Sequence, residues 1–160
     1  MQILKQFIEG VAWGDLDYML IDLPPGTGDE PLSIAQLLRP DGTVIVTTPQ
    51  DLALIDARKA IDMSRSLGVP VLGIVENMSG FTCPRCGGSI DLFKVGGGMR
   101  AAEELAVPFL GRIGIDPAIC DSGDRGTPFI LAVASTNAEA FDGIVRKIIA
   151  RMEGSEGKGG

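Results

Sequence analysis

The 160-residue sequence predicts an α/β domain, a mostly parallel sheet flanked by helices. Two observations carry this reading. Four short, mostly apolar runs at 18–21, 43–47, 69–75 and 109–113 are as a set rich in β-branched residues, as strands buried on both faces are. Helical patterns lie between them, and strands alternating with helices imply right-handed crossovers in a parallel sheet.

Taken in order, residues 2–11 place Ile3, Leu4, Phe7, Ile8 and Val11 at helical spacing. The strand at 18–21 follows, then a helix at 30–38, the strand at 43–47 and a helix at 52–67. The strand at 69–75 leads through a cysteine- and glycine-rich stretch to a helix at 99–105 and the strand at 109–113. A last helix at 138–152 aligns Phe141, Ile144, Val145, Ile148 and Ile149 on one face, with Ser135, Thr136 and Asn137 as candidate caps. The organisation expected is one domain over residues 1–152 and a flexible tail, EGSEGKGG, over 153–160.

Composition narrows the function. A net charge of -7 without a basic cluster argues against nucleic acid and anionic membrane as partners. No apolar run reaches the roughly 20 residues of a membrane span, and MQILKQFIEGVAW lacks the features of a signal peptide. Three cysteines argue for a reducing, cytoplasmic setting rather than a disulfide framework. The sequence contains no histidine, which removes histidine acid–base chemistry and histidine metal ligands.

Two stretches carry candidate chemistry. In YMLIDLPPGTGDEP an apolar run ends on Asp22, the Walker B pattern, in which a carboxylate holds Mg²⁺ beside nucleotide phosphates. Pro24 and Pro25 stiffen the exit, and Gly26 and Gly28 let backbone N–H groups approach a terminal phosphate. The competing reading is a strand ending in a turn-forming Asp. No lysine lies in a Gly-x-x-x-x-Gly-Lys-Ser/Thr cradle, so the sequence carries half of a nucleotide site. The run Val95-Gly96-Gly97-Gly98-Met99 reads either as an anion nest or as a glycine hinge.

The second stretch, CPRCGG, presents Cys83 and Cys86 on a glycine turn. A closed zinc or iron–sulfur site takes four such ligands, and Cys120 reads as a packing cysteine, so one chain cannot fill it. Two chains on a two-fold axis supply four thiolates, which predicts a metal centre bridging a homodimer. Zinc fits the spacing as well as iron does, and a redox dithiol or an unligated loop remain alternatives.

Taken together, WGDLDYMLIDLPPGTGDEPLSIAQ, VIVTTPQDLALIDARKAIDM, GIVENMSGFTCPRCGG and VPFLGRIGIDPAI resemble the Mrp/ApbC-type iron–sulfur cluster carriers. These are P-loop ATPases related to MinD and the nitrogenase iron protein. The resemblance implies a P-loop NTPase-like fold of which this chain is the C-terminal portion, its N-terminal strands and P-loop missing. By the same resemblance Asp22 holds Mg²⁺, Gly26 is the switch II amide facing the terminal phosphate, and Thr27 joins the nucleotide-binding set. Asn77 lies by the adenine of ATP, and Ile115, Asp116 and Pro117 close the base pocket. Cys83 and Cys86 share a bridging [4Fe–4S] cluster with their dimer mates, received from assembly proteins and passed to apo-protein recipients. Gly114 departs from the family pattern, in which proline is common.

Three consequences are expected. The chain does not hydrolyse ATP unaided, it leaves strand edges unpaired, and it associates unless a partner supplies the missing strands. A non-catalytic metal-binding or scaffold module with a zinc or iron–sulfur knuckle is the alternative function. A MinD-like positioning ATPase ranks last, since EGSEGKGG is no amphipathic membrane helix.

Overall fold

The computed structural model describes residues 2–24, 28–83, 85–132 and 135–156. In chain order its elements are α1 (Gln2–Gly10), α2 (Asp29–Leu38), β1 (Thr43–Thr47), α3 (Asp51–Ser66), β2 (Val71–Glu76), β3 (Phe81–Thr82), β4 (Ser89–Ile90), α4 (Gly97–Glu104), β5 (Phe109–Arg112), α5 (Pro117–Asp124), α6 (Phe129–Ala132) and α7 (Thr136–Glu156). β1, β2 and β5 form a parallel sheet in that order, paired from Thr43 with Val71 to Thr47 with Glu76, and from Ile74 with Phe109 to Glu76 with Arg112. β3 and β4 form a separate two-stranded antiparallel ribbon.

Alternation along the strands makes two cores, one on each face of the sheet. Ile45 of β1 and Ile74 of β2 pack with Leu54, Ala57 and Ile61 of α3 and with Ala101 and Ala102 of α4. The next residue along β2, Val75, joins Leu110, Ile113 and Ile144, against which Phe141 and Ile148 of α7 lean. The result is helix, sheet and helix in three layers, as runs buried on both faces require. Two of the helices show local reasons to sit where they do. α3 carries Asp51 in its first turn and Arg65 in its last, both matched to the helix dipole. α7 is capped by Ser135, whose Oγ accepts from the Ala138 N–H at 3.1 Å, and it continues to Glu156, four residues past the expected end at Met152. α6 meets it through an edge-to-face pair, Phe129 with Phe141, with ring centroids 5.7 Å apart.

One expected strand does not form. Residues 18–21 have no strand assignment, and Tyr18, Met19, Leu20 and Ile21 are all exposed, Leu20 by 94%. A strand needs a hydrogen-bonded neighbour, and among the described residues none lies beside this run. Among the described residues β1 pairs only with β2, which leaves its other edge unpaired there, and Val46 of β1 is 63% exposed. The apolar run retains the composition of a buried strand without the sheet that would bury it. An open edge beside exposed apolar residues is a template for association. In velocity sedimentation this chain is therefore expected to shift to larger species as concentration rises. A monodisperse monomer that melts cooperatively would count against that expectation.

Candidate metal and nucleotide site

The ribbon β3–β4 carries the thiols at its tip. Two backbone bonds close the turn, Gly87 N–H to the Cys83 carbonyl and Cys83 N–H to the Gly88 carbonyl, each at 2.9 Å. Gly87 sits at φ +70°, the left-handed conformation such a turn requires and which side chains resist. This folding aims the Arg85 and Cys86 amides at the Cys83 sulfur. The Arg85 N–H first, then the Cys86 N–H and the Cys86 thiol, hold the Cys83 thiol below the usual cysteine range. All three cysteines are unbridged, Cys83 half-buried and Cys86 and Cys120 exposed. Among the described residues no three Cys, Asp, Glu or His side chains gather into a metal-holding group. The chain thus presents a preformed pair of soft ligands, and Cys120 on α5 is not among them.

The Cys83 shift gives a pH prediction. A lowered pKa leaves more thiolate at any pH below the ordinary thiol value, so alkylation of Cys83 should reach its plateau rate at lower pH than an unstructured cysteine peptide. The folded state binds fewer protons than the unfolded chain between the two pKa values. This contribution to stability therefore grows as pH rises through that window and disappears below it. Mass-spectrometric footprinting with a small haloacetamide across pH checks the profile, and coincidence with the peptide would overturn it.

The glycine run holds an anion of its own. The Glu76 side chain, with no exposed surface, accepts the Gly96 N–H at 2.8 Å, the Gly98 N–H at 2.5 Å and the Ser79 hydroxyl at 2.5 Å. The nest reading of residues 95–99 is thus met from within: a carboxylate of this chain fills it, and the glycines start α4 around it. Nearby, Lys94 pairs with Asp51 at the start of α3 at 2.7 Å, which holds the Asp51 carboxyl below its ordinary range. Both groups are mostly exposed, so that pair adds little stability.

Asn77 follows β2 and the 115–117 segment follows β5, both past the carboxyl ends of parallel strands, where open α/β sheets place ligands. Asn77 follows β2, its N–H bonded to the Thr47 carbonyl at 2.7 Å and its Oδ1 accepting from the Met78 N–H at 2.9 Å. Asp116 caps α5, accepting the Ala118 N–H at 2.9 Å, and Pro117 occupies the first turn. Asn137 ties this cap down: its Nδ2 donates to Asp116 at 3.3 Å while its Oδ1 accepts the Gly114 N–H at 2.9 Å. A proline at 114 has no N–H to give, so the glycine there has a defined use. The Ile115 N–H reaches the Gly80 carbonyl at 2.8 Å, which joins this segment to the root of the thiol ribbon.

Asp22 is exposed and has no strand assignment. Gly26 and Thr27, the other expected phosphate-side residues, lie outside the described residues. Of the expected site residues, Asn77, Asp116, Pro117, Cys83, Cys86 and Asp22 lie among the described residues.

A protein-family model described as the NUBPL iron-transfer P-loop NTPase (ParA) matches residues 1–149. The chain belongs to this family. The iron–sulfur cluster carrier protein of Methanocaldococcus jannaschii is 47% identical over 154 residues, covering 96% of this chain and 53% of the relative. That of Pyrococcus horikoshii is 43% identical over 157 residues, covering 98% and 53%. Among solved structures, a nucleotide-binding protein from Archaeoglobus fulgidus in complex with ADP, with cobalt found in it, is 45% identical at a TM-score of 0.71, covering 79% of this chain and 52% of that one. The septum site-determining protein MinD of P. horikoshii, complexed with Mg-ADP, is 25% identical at a TM-score of 0.68, covering 91% and 55%. The chain therefore spans about half the length of the relatives it matches.

No helix among the described residues is long and apolar enough to cross a membrane. Glu76 and Ser79 were not among the expected site residues, and Asn137 was expected only as a helix cap. Glu76 carried the same signal that singled out Asp22, an apolar run closing on a carboxylate. The bonds of Ser79 and Asn137 join residues brought together only by the fold.

Proposed function

We propose that this chain is the cluster-holding part of an ATP-dependent iron–sulfur cluster carrier. Two copies hold a [4Fe–4S] cluster between their Cys83 and Cys86 pairs and release it to apo-proteins, after loading by assembly proteins in a reducing cytoplasm. The observation that carries the reading is the knuckle: two thiols on a glycine turn, Cys83 held toward its thiolate by the Arg85 and Cys86 amides. Thiolates are the ligands iron–sulfur clusters take, and a pair per chain fits a cargo shared on a two-fold axis. An exposed, two-ligand seat also suits a cargo that must leave, since a closed four-ligand cage in one chain would retain it.

ATP would meet Asn77, Asp116 and Pro117 on the base side and Asp22, with Mg²⁺, Gly26 and Thr27, on the phosphate side. The first group is supported by its place, since both segments follow parallel strands at their carboxyl ends. Asp22 requires its run at 18–21 to join a sheet before it can face the carboxyl end of the strands. With no Gly-x-x-x-x-Gly-Lys-Ser/Thr in the sequence, this chain alone is expected to lack ATPase activity.

The test is iron and acid-labile sulfide per chain after anaerobic reconstitution, measured together with native mass. About two irons and two sulfides per chain in a dimer support the carrier reading. About half a zinc per chain without sulfide moves the function to a structural metal module. A metal-free chain overturns both.

A further inference from the structure

The excursion that carries the thiols, residues 80–95, leaves the sheet just after Ser79 and returns at Gly96. Both ends close on a single oxygen. The Ser79 hydroxyl and the Gly96 N–H donate to Glu76 Oε1 at 2.5 and 2.8 Å, and the Gly98 N–H donates to Oε2 at 2.5 Å. Glu76 itself is the last residue of β2, in the sheet centre between β1 and β5, with no exposed surface. A carboxylate in that position is costly unless its hydrogen bonds are filled, and an apolar residue would suit a sheet interior more cheaply. Filled as it is, it makes a rigid and directional junction, which an apolar contact does not.

We infer that Glu76 is the positioning residue of the thiol ribbon. It sets the direction in which the ribbon leaves the sheet, and with it the geometry at which Cys83 and Cys86 meet a metal. This deepens the metal-carrying reading above and rests on it. The same junction reaches the base side. Asn77 is the next residue, anchored to Thr47, and the ribbon root at Gly80 and Phe81 pairs with Ile115. A change at Asn77 or in the 115–117 segment therefore arrives at the thiols through two routes that converge within a few residues of Glu76.

Glu76→Gln is the sharp probe because it keeps the shape and replaces one acceptor with a donor. The Gly96 N–H faces one oxygen and the Gly98 N–H the other, so the new amide NH₂ confronts an N–H in either orientation. The experiment is an anaerobic titration of the full reduced chain with Co²⁺ alone, read by its thiolate charge-transfer and visible bands, with a thermal melt on the same samples. The wild-type chain is expected to bind with bands that vanish in C83S. In E76Q the affinity is expected to fall about 10-fold or more, the range seen when ligand-supporting groups are removed, with the visible bands shifted at temperatures where the variant stays folded. S79A, which removes one bond of the three, is expected to fall by a few-fold, and it decides the question if E76Q does not fold.

A purely structural Glu76 would lower the melting temperature and leave affinity and band positions within twofold of wild type, which would overturn the inference while leaving the metal reading intact. A wild-type chain without cobalt–thiolate bands would instead remove the metal reading, and this inference with it.

Discussion

Replacing either Cys83 or Cys86 with serine should empty the proposed iron–sulfur site almost completely, from about two irons per chain to a small fraction of that. The expected loss is large because symmetry applies each substitution twice. In the proposed bridged dimer one change in the sequence deletes two of the four thiolates, and the remaining cysteine, Cys120, joins no metal-holding group among the described residues. Serine oxygen is a hard, weakly acidic donor where the cluster takes a soft thiolate, so it does not compensate. Loss of a supporting outer group alone typically costs roughly 10–100-fold in metal affinity, and loss of a ligand should exceed that. The two variants should also differ. C86S keeps the Arg85 and Cys86 amides aimed at the Cys83 sulfur, the larger causes of its lowered pKa, and so keeps an activated thiol. C83S removes the activated group itself. Cys120→Ser is the control: it sits exposed on α5, and iron, sulfide and native mass should all stay at wild-type values. Retention of a full complement of iron in C83S would place the cluster elsewhere on the molecule.

The parts of the fold legible in the sequence are those whose signal is local. β1 appears at 43–47 as expected, and α2 and α3 begin within a residue of their predicted starts, because apolar spacing is written into adjacent residues. The thiol ribbon was legible as chemistry, through CPRCGG, and not as strands, since β3 and β4 have two residues each and no periodicity survives at that length. The run at 18–21 failed for the opposite reason. Its composition is that of a buried strand, but whether a strand forms depends on a neighbour, and composition does not report the neighbour. Glu76 shows the same limit at the site. A carboxylate ending an apolar run was readable at both 22 and 76, yet only the fold shows that one is exposed and the other wrapped by Ser79, Gly96 and Gly98. Residues 95–99 read in the sequence as a nest or a hinge, with the hinge favoured, and the fold shows the nest. That its anion comes from 20 residues earlier in the same chain is a tertiary fact.

The close approach behind that nest gives the largest stability effect we expect, at Gly97. A Cβ built there would lie 2.3 Å from the Pro49 carbonyl oxygen, 2.9 Å from its carbon and 3.0 Å from its Cα. Those are backbone atoms of the turn between β1 and α3, so no side-chain rotation relieves the clash, and either α4 or that turn must move. Moving α4 pulls Gly96 and Gly98 away from Glu76 and leaves a buried carboxylate short of donors, so the steric cost and the polar cost come together. Overpacking of this kind costs typically about 1–3 kcal/mol and more where backbone must shift. The gain in helix propensity from Gly to Ala, about 1 kcal/mol in a helix interior and less at a first turn, does not cover it. Gly97→Ala is therefore expected to destabilise the chain by roughly 2–4 kcal/mol. For a domain of this size that lowers the melting temperature by roughly 4–16 °C. The matched control is Gly143→Ala in α7, where an added Cβ meets nothing within 4 Å and the same propensity gain acts unopposed. G143A should leave the melting temperature unchanged or raise it by a few degrees. The contrast separates a glycine kept for contact from one merely tolerated in a helix, and equal melting temperatures for the two variants would mean that α4 does not rest on Pro49 in solution.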